Sequence, residues 1–258
     1  MTVKADPSGF PQRKIGEVPA VSAMQMREIQ RTAQEEYGLD IVQIIENAGR
    51  AIATVTLAMF GGKARGQRVL VLAGGGNKGG AGLCAVRHLA NWGFNAVPVF
   101  GEVESETSFV ARRQMQVLRN AGMADAGGEE VSEFTLEEDL AAAELVIDAL
   151  VGYGLEGPPI GMAAAITELA VDSKRPILAV DVPTGVNATT GEVSTPAIRA
   201  CTTLILDLPK KGVIAPVARA NAGELYLADL GIPATVFERM GIRAAGVFSE
   251  GPIVRLRR

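Results

Sequence analysis

The sequence predicts an α/β protein, a three-layer αβα sandwich with a mostly parallel sheet between two layers of helices, on three observations. Short apolar runs alternate with amphipathic stretches from residue 22 to residue 191, the pattern of strands joined by covering helices. The run Val69 to Ala73 is apolar at every position, which suits a strand covered on both faces. That run empties into Gly74, Gly75, Gly76, Gly79, Gly80 and Gly82, and Leu83, Val86, Leu89 and Ala90 then recur at helical spacing. A strand, a bare turn and a helix in succession let backbone N–H groups approach a ligand, and a helix N-terminus favours an anion.

Taken in order, residues 1–18 hold Pro7, Gly9, Pro11 and several charges but no apolar core of a signal peptide. They read as a loose tail ahead of one domain, residues 19–258. Ser22 is placed to cap a helix carrying Met24, Met26, Ile29 and Ala33 and ending near Gly38. Asp40 caps a second, with Ile41, Ile44, Ile45, Ala48, Ile52 and Val55 on one face up to Gly61. Inside it, Glu46-Asn47-Ala48-Gly49 puts polar groups and a glycine where alanine would serve a plain helix better, for close packing or for a ligand. After the glycine turn and its helix come a strand over Asn95 to Phe100 and a helix over Ser105 to Asn120, with Gly127 and Gly128 closing the unit. Thr135 to Ala143 suggests a short helix leading to the strand Glu144 to Asp148, and Ala149 to Pro159 is a loop. A helix through Met162, Ile166 and Leu169 precedes the strand Pro176 to Val180. Past Gly191 the strands are Cys201 to Leu206 and Glu224 to Ala228, then a helix over Pro233 to Met240 and an edge segment over Val247 to Val254.

Composition removes several functions. With 258 residues, 48% of them hydrophobic, the chain can bury a large core. A formal charge of −4 gives no electrostatic case for nucleic acid or an anionic membrane, and no apolar run is long enough to span a bilayer. Cys84 and Cys201 lie in apolar surroundings without ligand spacing, so both read as small core residues of a reducing, cytoplasmic compartment. His88 is the single histidine, which argues against a histidine metal site or a Ser-His-Asp triad and leaves it as a packing or surface residue.

In an open parallel sheet, ligands lie beyond the carboxyl ends of the strands. Three strands end informatively: one in the glycine turn with Asn77 and Lys78, one in Asp148 and a loop with Gly152, Gly154 and Gly157, one in Asp181-Val182-Pro183-Thr184-Gly185. A single strand-end aspartate is as readily a turn residue. Two of them, both followed by glycine-bearing loops, predict one shared pocket. Gly74, Gly76 and Gly79 also satisfy G-x-G-x-x-G, and Glu102 lies about twenty residues on, where a dinucleotide fold places its ribose carboxylate. A turn that is glycine-rich only for packing is the alternative. No Gly-Lys-Ser/Thr closes the run, so a Walker loop is excluded.

The segments AGGGNKGGAG with LCAVRHL, VIDALVGYGLEGP and DVPTGVNATTG, with MREIQ and IIENAG upstream and LPKKG and DLGIP downstream, resemble the YjeF N-terminal family, the NAD(P)H-hydrate epimerases. The likeness runs from about residue 22 to the C-terminus in the family's order. It implies a Rossmann-like fold, a homodimer, and interconversion of the R and S forms of hydrated NADH or NADPH, with a separate dehydratase acting downstream and no organic cofactor. It implies Asp181 as acid/base and potassium on Asp148 and, in place of the usual serine, Thr184. The substrate would contact Gly76, Asn77, Lys78, Gly79, Gly80 and Ala81, the loop Gly152, Tyr153, Gly154, Leu155, Glu156, Gly157 and Pro158, and Asp181. The family's turn is written N-N-G-G-D-G, and this chain has Lys78 for the second Asn and Ala81 for the Asp. Lys78 either stands at the potassium position beside Asp148 or points to solvent, and Ala81 lacks the polar contact. Lys210 and Lys211 either reach an anionic ligand or form an ordinary exposed pair. Two other readings stay open: a catalytically silent member that binds a nucleotide-like ligand or a protein, and a nicotinamide oxidoreductase using Glu102.

Overall fold

The computed structural model describes residues 3–4, 7, 9–101, 107–123, 133–155 and 157–258. Glu102, Gly127, Gly128 and Glu156 lie outside these. The strands are β1 (Gln12–Lys14), β2 (Arg68–Ala73), β3 (Asn95–Phe100), β4 (Leu145–Ala149), β5 (Ile177–Val180), β6 (Thr202–Leu206), β7 (Glu224–Ala228) and β8 (Ile253–Arg257). They form one sheet in the order β1-β8-β7-β6-β5-β4-β2-β3. The pairs from β2 to β7 are parallel, β8 is antiparallel to β7, and β1 is parallel to β8. From β2 the chain steps outward to β3 and returns past β2 to β4, so the strand order reverses between β2 and β4. Such a switch point opens a crevice above the carboxyl ends of the strands.

The helices are α1 (Ala23–Glu35), α2 (Ile41–Met59), α3 (Asn77–Asn91), α4 (Phe109–Asn120), α5 (Glu133–Ala142), α6 (Gly161–Asp172), α7 (Lys211–Ile214), α8 (Arg219–Ala222) and α9 (Ala234–Arg239). Ser22 and Asp40 cap α1 and α2, each in a reciprocal box with the glutamine three residues on. Residues of β2 alternate between the two faces. Val69, Val71 and Ala73 pack with Ile52, Leu83 and Met115 of α2, α3 and α4, while Leu70 and Leu72 pack with Leu136, Leu140, Ile166 and Ala170 of α5 and α6. Further along, Met26 and Ile29 of α1 and Val236 and Phe237 of α9 cover Ile205, Leu225, Leu227 and Val254. Strands covered on both sides need apolar residues at successive positions, which is why β2, and β4 as far as Asp148, are legible as apolar runs.

Three details depart from the sequence reading. The first is the N-terminus, expected as a loose tail: Gln12–Lys14 adds to the sheet against Arg255–Arg257, Phe10 meets the Tyr226 ring edge-on at 5.7 Å, and the Tyr226 hydroxyl donates to the Pro7 carbonyl at 3.0 Å. A strand of sequence Gln-Arg-Lys is held by backbone bonds to a sheet assembled elsewhere and leaves no apolar signal of its own. The second is β8, expected as an edge segment but lying between β7 and β1. Its arginines obscured it, and Arg255 is accommodated by an ion pair with Glu224 at 2.9 Å. The third is the glycine turn, which is shorter than expected because α3 begins at Asn77. Among the described residues, none of Gly74, Gly75, Gly76, Gly79, Gly80 and Gly82 has positive φ. Close approach explains them instead: a Cβ on Gly79 would lie 1.7 Å from the Gly74 carbonyl oxygen, and one on Gly82 2.5 Å from the Ala149 Cβ.

Candidate active site

At the carboxyl end of β4, Asp148 is fully buried. Its Oδ1 accepts from the Leu150 amide at 3.1 Å and the Thr184 hydroxyl at 2.7 Å, and its Oδ2 accepts from the Thr184 amide at 2.8 Å. Thr184, which follows β5 and is also fully buried, therefore ties two strand ends together. Onto this pair comes Lys78 from the first turn of α3, 8% exposed. Its Nζ lies 3.2 Å from each Asp148 oxygen, 2.9 Å from the Val151 carbonyl, 2.8 Å from the Val182 carbonyl and 3.4 Å from Thr184 Oγ1. The stem passes Gly152, where a Cβ would come within 3.4 Å of the lysine Cδ. Burial pushes the Lys78 ammonium below the usual lysine range, opposed by the Asp148 carboxylate. A solvent-directed Lys78 is thus excluded.

The resemblance places potassium on Asp148 and Thr184, and those two side chains do converge on one point with two carbonyl oxygens. The residues present do not fit a metal ion there, because Lys78 Nζ occupies that point and a second cation beside it would be repelled.

Asp181 follows β5 directly and adopts φ +64°, a conformation that aspartate tolerates better than most residues because its short polar side chain bonds locally. It is 3% exposed. Its Oδ1 accepts from Lys210 Nζ at 2.5 Å and from the Leu206 amide at 3.1 Å; among the described residues no hydrogen bond reaches Oδ2. Lys210 is 1% exposed and so is not half of an exposed lysine pair, whereas Lys211 is exposed. The Lys210 ammonium also donates to the Leu206 carbonyl at 2.7 Å and stands 5.8 Å from the centre of the Tyr153 ring. Val21, just before α1, holds this loop through Val21 N–H to Pro209 at 2.9 Å and Lys211 N–H to Val21 at 2.8 Å. Sequence reasoning weighed Lys210 as a contact for an anionic ligand or as half of an exposed pair, not as the partner of Asp181, and it missed Asp207. Asp207 follows β6 as Asp181 follows β5, and that same strand-end rule would have found it. It is 1% exposed, sits at φ +59°, and its Oδ2 has no hydrogen-bond partner. Burial, only partly opposed by Lys210, pushes its carboxyl up to about 7.

Of the expected turn residues, Gly76 and Asn77 are exposed at the start of α3, whereas Gly79, Gly80 and Ala81 are buried. A Cβ on Gly80 would meet Val110 of α4 at 2.9 Å, and Ala81 belongs to the core shared by α2, α3 and α4. In the loop after β4, Gly152, Tyr153 and Leu155 are half-buried and Gly154, Gly157 and Pro158 exposed. The Tyr153 hydroxyl donates to Gln30 Oε1 at 2.5 Å, and burial pushes its pKa up to about 12.

The Glu46-Asn47-Ala48-Gly49 motif is absorbed by packing. A Cβ on Gly49 would lie 2.4 Å from Cys84 Sγ, and Asn47 donates to the Leu230 carbonyl at 2.9 Å. Glu46, Cys84 and His88 bring ligand-type atoms within 4.8 Å of one another, but the cation among them is Arg87, 2.5 Å from Glu46 and 3.4 Å from Cys84 Sγ. Burial, then the Glu46 charge, pushes the Cys84 thiol up to about 12. A cavity of about 380 Å3 is lined by Arg13, Glu17, Val18, Arg243 and Val247 among others and includes none of the strand-end residues.

The chain is 41% identical to the NAD(P)H-hydrate epimerase of Dehalogenimonas lykanthroporepellens over 232 residues, 90% of each chain. It is 30% identical over 240 residues to the bifunctional NAD(P)H-hydrate repair enzyme of Moorella thermoacetica, covering 90% of this chain and 45% of that one. The crystal structure of the yeast protein ynu0, YNL200c, superposes with a TM-score of 0.77 at 26% identity, covering 93% of this chain and all of that one. The family model for the YjeF-related protein N-terminus matches residues 42–212, the span from the start of α2 through the lysine that pins Asp181, and the chain belongs to that family.

Proposed function

We propose that this protein is an NAD(P)H-hydrate epimerase, interconverting the R and S forms of hydrated NADH and NADPH, with Asp181 as its acid/base. The relative at 41% identity carries that name. The observation that carries the assignment of Asp181 is its carboxylate, desolvated at a strand end, with Oδ1 pinned by Lys210 and the Leu206 amide.

Inverting a carbon that bears a hydroxyl beside a ring nitrogen needs a group that both takes and gives one proton. Held against an ammonium, Asp181 starts as the acceptor. In the ring-opening route it removes the hydroxyl proton, the carbonyl forms as the carbon–nitrogen bond breaks, and the electron pair returns to nitrogen, which takes the proton. Rotation and closure from the opposite face reverse each step. The positively poised start of α3, with Gly76 and Asn77 at the surface, suits the pyrophosphate, and the loop 152–158 would lie along the dinucleotide.

The bifunctional relatives support a dehydratase as the next activity. It would act on the S form that this chain, as a cytoplasmic homodimer, supplies. Among the described residues, no helix is long and apolar enough to cross a membrane. Ala81, buried where the family carries an aspartate, favours a second reading, a silent member that binds a nucleotide without turnover. Conversion of R-NADHX to the S form, followed by coupling to a separate dehydratase, decides between them: turnover above the spontaneous rate supports the epimerase, and tight binding without turnover the silent member.

A further inference from the structure

We infer that the Lys78 ammonium is the resident monovalent cation of the site between β4, β5 and α3, so that this chain works and folds without a bound alkali-metal ion. Five oxygens converge on Nζ within 3.4 Å: both of Asp148, the carbonyls of Val151 and Val182, and the Thr184 hydroxyl. An ammonium has three protons to donate, so this shell exceeds what hydrogen bonding to a lysine requires. A full carboxylate, main-chain carbonyls and a hydroxyl grouped around one centre match the oxygen ligands of a hard cation with flexible geometry. The net charge needed at the centre is one, which the lysine supplies.

The surroundings are built to keep the shell in place without the lysine. Asp148 is fixed by the Leu150 and Thr184 amides and the Thr184 hydroxyl, and Thr184 Oγ1 in turn accepts from the Val151 amide at 3.1 Å. The Val182 carbonyl belongs to the segment leaving β5, whose amide bonds back to Val180 at 2.8 Å. Removing the ammonium therefore leaves a preformed oxygen cage with an uncompensated negative charge. The inference does not depend on the epimerase reading, because occupancy of the cage is visible in stability whatever the substrate.

The test compares the wild-type chain with Lys78→Asn in potassium, sodium and tetramethylammonium chloride at equal ionic strength. Thermal melts are the first readout and R-to-S NADHX conversion the second. Wild type is expected to melt within 1 °C in all three salts and to turn over at rates within twofold. Lys78→Asn is expected to melt lower in tetramethylammonium and to recover saturably as potassium chloride is added. Overturning results are a saturable potassium-dependent rise in the wild-type melting temperature, or an Asn variant that melts identically in every salt. If the Asn variant does not fold in any salt, Lys78→Gln takes its place under the same criteria, and the wild-type melts still decide. Absence of turnover in every arm, with the melts as expected, would remove the epimerase reading and leave the cation inference standing.

Discussion

Asp181 and Lys210 are opposite charges buried together, and each is present because of the other. Cutting Asp181 to Ala leaves the Lys210 ammonium uncompensated, which commonly costs about 3–5 kcal/mol, so loss of activity in that variant mixes chemistry with stability. Asp181→Asn keeps an acceptor for the Leu206 amide and Lys210 while removing the base. We expect kcat to fall about 100-fold or more, with near-native circular dichroism; retained turnover removes Asp181 from the mechanism. Asp207 makes a separate prediction in pH. Its folded carboxyl titrates at about 7 and an unfolded one near 3.9, so between those values the folded chain keeps a proton the unfolded chain has lost. Its contribution to stability is complete below about pH 4 and is lost as pH rises through 7. Asp207→Asn tolerates the positive φ and keeps the acceptor for the Leu230 amide, at 3.1 Å. Urea melts should show it more stable than wild type at pH 8.5, on the order of 1–2 kcal/mol, with little difference at pH 4.5.

The element that brings the site together is α3, whose glycines do two different jobs. Gly79 lets the helix start almost on top of the strand that precedes it, the Gly74 carbonyl filling the position a Cβ would take. Gly79→Ala forces the helix start away from β2, and since the blocking atom is backbone the cost should exceed the usual 1–3 kcal/mol of overpacking. Lys78, one residue earlier, would be withdrawn from its oxygens by the same shift. Gly76 is the contrast: a Cβ there meets nothing within 4 Å, and its φ of −84° suits any residue. Gly76→Ala should leave the melting temperature within a degree or two and, on the proposed function, raise KM for the dinucleotide whose pyrophosphate the amides of α3 would face. Equal melting temperatures for the two variants would sink this account of the turn.

At the scale of the molecule, the parallel sheet is closed on its β7 side by β8 and then by β1, contributed by residues before the first helix. Removing residues 1–14 strips β1 from the edge and takes Phe10 and the Pro7 carbonyl from buried Tyr226. The loss should be about 2–3 kcal/mol from the aromatic burial alone, read as a lower urea midpoint, with R-to-S conversion retained because the strand-end aspartates lie on other strands. Aromatic burial of that size at an edge, rather than at the crevice, is a matter of stability. The sequence alone determined the alternation of β2, β3, β4 and β5 with their helices, the caps at Ser22 and Asp40, and the strand ends at Asp148 and Asp181, because apolar periodicity, capping and turn chemistry are written within a few neighbouring residues. Only the tertiary structure decided that Lys78 turns inward to Asp148, that Lys210 is buried against Asp181, that Ala81 faces the core, and that Gln12–Lys14 is a strand. Each of these depends on a partner many residues away, supplied through packing or backbone pairing that leaves no local trace in the chain.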